Sequence, residues 1–135
     1  MPKVKINNSQ GLTQVTGGGF APYGAMQSIT AHTTAANAKI HTTTSVVLGK
    51  SGNASHKILL PEGAGLAVGH TIVVGNIDST TTHTFQLHKH AADRINGVNG
   101  KLDVKNGSAA FCVYGGNTVG TSWCVTLGDA ATIPS

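Results

Sequence analysis

Charge is what this chain has least of. Charged residues occupy 10% of its 135 positions, nine Lys and Arg against five Asp and Glu. That is too little to lace a helical surface with ion pairs one turn apart, and it leaves no acidic or basic tail. The five carboxylates are Glu62, Asp78, Asp93, Asp103 and Asp129. No two of them lie on one local element at the separation that glycoside hydrolysis requires, so an enzyme is not expected. The basic residues bring the net charge to +4 but are spread along the chain rather than gathered in a stripe. A nucleic-acid backbone is recognised by clustered cations, so no nucleic-acid partner is expected. A mildly basic surface suits an acidic protein partner better.

Aromatic residues are scarce as well, at 4% with a single Trp. So thin a core leaves a chain of this size marginally stable by itself, which makes burial between subunits an expectation. No apolar run reaches the ~18 residues of a membrane span, and MPKVKINNSQ lacks the apolar region of a secretory signal. Synthesis in a cytoplasm is expected, and a membrane partner is not. Cysteine occurs twice, at Cys112 and Cys124. Two thiols are too few for a zinc site. They could pair across a hairpin, but a cytoplasmic origin favours free, buried thiols. No G-x-S-x-G serine elbow occurs, and Gly17-Gly18-Gly19 lacks the Lys-Ser/Thr of a phosphate loop. Neither a cofactor nor a metal is expected.

What is present in quantity is Gly, at 18 residues, together with Thr, Asn, Ser and Ala. Hydrophobic residues at 39% are too many for simple disorder, and the balance suits a rigid β-structure with polar Thr faces. The organising stretch is His56–Asn76, HKILLPEGAGLAVGHTIVVGN. Pro61 has no N–H for a ladder and stops the apolar run Lys57–Leu60. Small residues then make an irregular turn, and the β-branched run inside His70–Gly75 starts a second strand. Around it the pattern predicts strands at Ser28–His32, Lys39–Thr44 and Ser45–Gly49. The first two flank an Ala-Asn turn, with a helix conceivable at Thr33–Lys39. Further strands are predicted within Ile77–His90 and at Lys101–Val104, Ser108–Tyr114 and Thr121–Leu127. Asn96-Gly97, Asn99-Gly100 and Asn106-Gly107 mark turns.

Short strands with turn signals every 8–12 residues predict an all-β fold. We expect a single compact β-sandwich or barrel, jelly-roll-like, over 25–135, preceded by an extended N-terminal arm over 1–24. The predicted core includes Leu60, Val73, Phe111 and Trp123. The arm cannot bury enough to fold alone, though Val4 and Ile6 alternate with lysines as a short strand would. Its spaced apolar residues Val4, Ile6, Leu12, Phe20 and Tyr23 are anchors that a merely solvated tail would not need.

Seven histidines are the remaining candidates for chemistry: His32, His41, His56, His70, His83, His88 and His90. His88 and His90 are two apart, so on a strand they share a face. No Cys is near them, and the expectation is subunit contact by His83, His88 and His90, with assembly sensitive to pH.

Three motifs occur in order: Ile58-Leu59-Leu60-Pro61 leading to Val68-Gly69-His70-Thr71-Ile72-Val73-Val74, then Asp93-Arg94-Ile95-Asn96-Gly97, then Gly120-Thr121-Ser122-Trp123. Over Ser45–Val125 this resembles a β-rich module of bacteriophage virion proteins. Cys112, Cys124 and the His-rich segment depart from that module's pattern. The resemblance implies a capsid decoration (cement) protein, a homotrimer on the outer surface of the virion. Its partners would be the major capsid protein and further copies of itself, and the arm would contact the shell. The alternative is a receptor- or glycan-binding module of a tail or head fibre, with Trp123 and Tyr114 stacking on sugar.

Overall fold

The alternating and β-branched runs become ten strands in a computed structural model that describes residues 3–7, 11–16, 25–80, 83–116 and 122–128. They are β1 (Lys3–Asn7), β2 (Gly11–Thr16), β3 (Ala25–Thr30), β4 (Thr44–Lys50), β5 (Lys57–Leu59), β6 (Thr71–Asn76), β7 (Phe85–His88), β8 (Lys101–Val104), β9 (Ala109–Tyr114) and β10 (Trp123–Leu127). β1 and β2 pair antiparallel, with Ile6 opposite Leu12 and Val4 opposite Gln14. The strand expected at Val4 and Ile6 is therefore present, folded back on a second strand.

The other eight strands form two sheets, a five-stranded one in the order β10-β9-β6-β4-β3 and a three-stranded one in the order β5-β7-β8. The chain passes from sheet to sheet: β4 lies in the larger, β5 in the smaller, β6 in the larger and β7 in the smaller. Strands that return to a sheet after each crossing run parallel, so β3, β4 and β6 are mutually parallel, as are β5 and β7. Antiparallel pairing follows at β7–β8, β6–β9 and β9–β10. The sandwich expected from turn spacing is present, but most of the early turns carry the chain across the sandwich rather than into hairpins.

Side-chain parity does the rest. On the five-stranded sheet Val47, Val74 and Ala110 stand opposite one another and are fully buried, and Ile72 and Cys112 make the next inward row. On the three-stranded sheet Ile58, Leu87, Phe85 and Val104 are fully buried and belong to the same core. Each such side chain contributes about 1.5–3 kcal/mol by leaving water. The sheets pack tightly at Gly49, where a Cβ would lie 2.7 Å from the Phe85 ring and 3.1 Å from Ile58. Glycine there lets the Phe85 ring lie against the facing backbone.

Several expectations need correction. Lys39–Thr44 is not a strand. Ala35–Asn37 is a 3₁₀ turn, Lys39 makes only an isolated bridge to Leu59, and β4 begins at Thr44. The Gln27 side chain explains the bend: its Oε1 accepts the His41 N–H at 3.0 Å and the Thr44 hydroxyl at 2.9 Å, while its Nε2 donates to the Lys39 carbonyl at 3.0 Å. Backbone groups that a strand would spend on a ladder are spent on one amide. Ile77–His90 shortens to Phe85–His88, because Asp78 captures the preceding backbone in a loop.

Two of the four predicted core residues are misplaced. Leu60 and Trp123 are fully buried, but Val73 is half-buried and Phe111 is 50% exposed, both on the outward side of the larger sheet. β9 carries two apolar sets, and its pairing decides between them. Trp123 stands inward opposite Tyr114, so the period of two sends Cys112 and Ala110 inward and Phe111 outward.

Candidate functional site

The three sequence motifs converge on one knot. Pro61 ends β5 and is buried, and the following turn brings Gly63 beneath the Tyr114 ring, where any Cβ would collide with it. The Gly63 N–H donates to Asp93 Oδ2 at 2.9 Å, which ties the first motif to the second. Asn96 (φ 50°) and Gly97 (φ 78°) both adopt the left-handed conformation, which Asn and Gly tolerate best. The turn they form docks on β10. Asn96 Oδ1 accepts the Val125 N–H at 2.8 Å, and its Nδ2 donates to the Val125 carbonyl at 3.0 Å. The Asn96 N–H donates to the Trp123 carbonyl at 2.8 Å, and the Trp123 N–H to the Arg94 carbonyl at 2.9 Å. The Arg94 N–H donates to Ser122 Oγ at 3.1 Å.

The centre of the knot is aromatic. The Tyr114 and Trp123 rings are 5.4 Å apart, tilted by 56°, and both side chains are buried. Such a tilted pair adds about 0.5–1.5 kcal/mol to the area term. Rings held this way offer no face for a sugar to stack on. The knot is a clamp that joins two loops to the last strand.

A second polar hub sits at the other end of β6. Asp78 accepts the Ser51 N–H through Oδ2 at 2.9 Å and the Thr80 N–H through Oδ1 at 2.8 Å, and it lies 3.1 Å from His83 Nδ1. These backbone donors, and then His83, hold its carboxyl below the ordinary value of 3.8. Buried Asn76 donates to the Val104 carbonyl at 2.8 Å and the His83 carbonyl at 3.1 Å, bridging the sheets. The sequence pattern marked Asp78 only as one of five carboxylates and Asn76 only as the end of the organising stretch. The available signal was Asx chemistry, Asn and Asp two apart where a strand ends.

The three histidines proposed as one contact are in three settings. His83 is half-buried against Asp78, ahead of β7. His88 stands on the outward face of the three-stranded sheet, 3.3 Å from Gln86 Oε1. Partial burial, then Lys57 and Lys101, push its pKa below the ordinary 6.5, with Asp103 pulling the other way. His90 lies beyond the strand end, where its carbonyl accepts the Asp93 N–H at 2.8 Å. His88 and His90 therefore do not share a strand face. Among the described residues no three His, Cys, Asp or Glu gather as metal ligands.

The cysteines sit on opposite faces of the larger sheet. Cys112 points inward, its thiol pushed up to about 12 by burial, and Cys124 is exposed on the outward side. Both are free, and parity explains why: Cys112 pairs with Val125, one residue from Cys124. The expectation of two buried thiols holds for Cys112 alone.

Of the arm residues, Val4 and Ile6 fall in β1 and Leu12 in β2, while Phe20 and Tyr23 lie outside the described residues. Of the carboxylates, Asp93 is buried in the knot, Asp78 is half-buried in its hub, Glu62 and Asp103 are exposed, and Asp129 lies outside the described residues. What the fold offers is two outward sheet faces and a rigid body between them. No family model matches the chain, and no curated protein is similar to it.

Proposed function

We propose that this protein is a non-enzymatic structural component of a phage virion. It decorates the capsid and stabilises it by clamping neighbouring capsid subunits through its N-terminal segment. The observation that supports this reading is the knot. Gly63, Asp93, Asn96 and Trp123 carry the three motifs of the virion-module resemblance, and they are bonded or packed into one unit. Residues that would be loose loop decoration in an unrelated protein hold each other in place here. The side chains of Asp93, Asn96 and Ser122 in the knot and of Asp78 in its hub are engaged in structural hydrogen bonds, which suits a load-carrying part better than a catalyst.

The mechanism is mechanical. Val4, Ile6, Leu12, Phe20 and Tyr23 are the apolar anchors on the shell, and the sandwich is the rigid body that the anchors hold. Each copy makes shallow contacts, and repetition over a symmetric lattice sums them. The partners are the major capsid protein and further copies of this chain, on the outer capsid surface.

Co-sedimentation of the purified protein with undecorated phage heads, and in parallel with host cells, tests the reading. Saturable binding to heads is expected. Binding to cells alone would overturn it in favour of receptor recognition at a fibre tip. Deleting Met1–Phe20 is expected to leave the sandwich folded and to abolish binding to heads, and retained binding would remove the clamp from the mechanism.

A further inference from the structure

We infer that the outward face of the five-stranded sheet is a self-association surface, covered by the same face of a second copy of this chain. Register defines the face. Phe111 stands opposite Val73 on one side and Thr126 on the other; Val73 stands opposite Val46, and Val46 opposite Met26. One row, apolar but for Thr126, thus crosses all five strands. Met26 is 67% exposed and Phe111 50% exposed, and both are large. The neighbouring rows, Ser28-Leu48-Gly75-Ala109 and Thr71-Val113-Cys124, carry no charged residue.

The size of the face fits a second copy. Five strands about 4.8 Å apart, each about six residues at about 3.3 Å, present roughly 24 by 20 Å, or about 500 Å². Lys50 and Thr30 lie at one end of that area, and the three uncharged rows make up the rest of it. Two such faces in contact bury about 1,000 Å² in total, the floor for a specific interface, so the association is of modest affinity.

The chemistry of the face selects the occupant. The chain carries a net charge of +4, so copies repel unless they meet where charge is absent. An acidic partner would be drawn instead to the other sheet, where Lys57, Lys101 and His88 are gathered. A two-fold axis sets the uncharged row against itself, as sheets stack in a sandwich about 10 Å apart. The face also has a low spot for the partner's Phe111 ring. Gly75 pairs with Ala109 one step along from the Val73–Phe111 pair, and a Cβ built on Gly75 meets nothing nearer than the Val47 carbonyl at 3.9 Å.

The surface carries its own reporter. Cys124 stands opposite Val113 on this face and is exposed, while Cys112 is buried inside. A maleimide therefore reads one thiol, and that thiol is at the contact.

The test uses the full chain in analytical ultracentrifugation up to about 100 μM, a range that reaches weak interfaces, with Phe111→Lys and Met26→Lys alongside and Cys124 labelling rates measured across the same range. The wild type is expected to reach the mass of two chains. Both variants are expected to stay at one chain with unchanged melting midpoints, and wild-type labelling is expected to slow several-fold as the protein associates. The two substitutions lie on different strands at exposed positions, so a folding fault in one leaves the other to decide. A wild type of one-chain mass throughout would overturn the inference. So would association retained in both variants, or labelling that ignores concentration while the protein associates. Labelling that slows only when phage heads are added would give the face to the capsid, which also overturns it.

Discussion

The two outward faces of this sandwich are built on the same alternation and differ in almost every side chain. On the three-stranded sheet Lys57, Gln86 and Asp103 stand in one row and Leu59, His88 and Lys101 in the next. On the five-stranded sheet the central row is Met26, Val46, Val73, Phe111 and Thr126. A face meant for water needs charge, because hydrated ions keep copies apart and soluble. A face built of Val, Phe and Met at the same exposure leaves apolar area in water, and that area contributes only when something covers it. A chain with so little charge has placed Lys57, Lys101 and Asp103 on one sheet and no charge in the central rows of the other.

The largest expected effect tests what lies between the faces. Trp123→Ala and Phe85→Ala each remove a fully buried ring, one from each sheet, and each is expected to lower stability by about 3–5 kcal/mol in urea titration. A much smaller loss for Trp123 would mean that the larger sheet is held mainly from outside. That would sharpen the contrast between the sheets into a difference in folding.

Next in size is Asn96→Ala. It removes the side chain that satisfies both backbone groups of Val125 on the edge strand of the larger sheet, and a loss of about 1–3 kcal/mol is expected. Asp93→Asn, which keeps an oxygen for the Gly63 N–H, is expected to lose less. Equal losses in the two melting curves would place the weight of the knot on the Asp93 charge.

Acid should act on the charged side first. His88 is held below 6.5 in the folded state, so the unfolded chain binds more protons as pH falls past 6.5, and stability declines from there. Asp78 is held below 3.8, so its contribution is complete above that pH and is lost as pH falls through its folded value. Both have the same sign. His88→Gln is expected to remove the first decline in the melting temperature and leave the second, and a first decline that persists would assign it to another histidine.

The smallest effects belong to the outward positions themselves. In dilute protein Gln86→Ala and Phe111→Ser are each expected to change stability by no more than about 0.5 kcal/mol. A larger loss for Phe111 in dilute solution would show that its ring already packs within the single chain, and the contrast between the faces would fail.

How far the sequence carried is visible in particular elements. Lys57–Leu60, His70–Gly75, Lys101–Val104 and Ser108–Tyr114 were legible to within a residue or two, because each is a β-rich run bounded by Pro, Gly or Asn-Gly. Lys39–Thr44 was not, since one distant amide, Gln27, takes its backbone groups. The burial of Trp123 and Leu60 was legible from their chemistry. That of Phe111 was not, because both faces of β9 are apolar and only its pairing with Trp123 through Tyr114 fixes which turns inward. The histidines looked like one group because they are close in sequence, yet a strand end and a loop separate them in space.

By itself, then, the sequence determined that the chain makes strands and where most of them stop. These follow from backbone preferences that act over a few residues. Tertiary structure decided which strands pair in parallel, which side of each strand meets the core, and that three separate turns close into one clamp. Those outcomes depend on contacts between residues about thirty positions apart, such as Gly63 with Asp93 and Asn96 with Val125, and no local rule contains them.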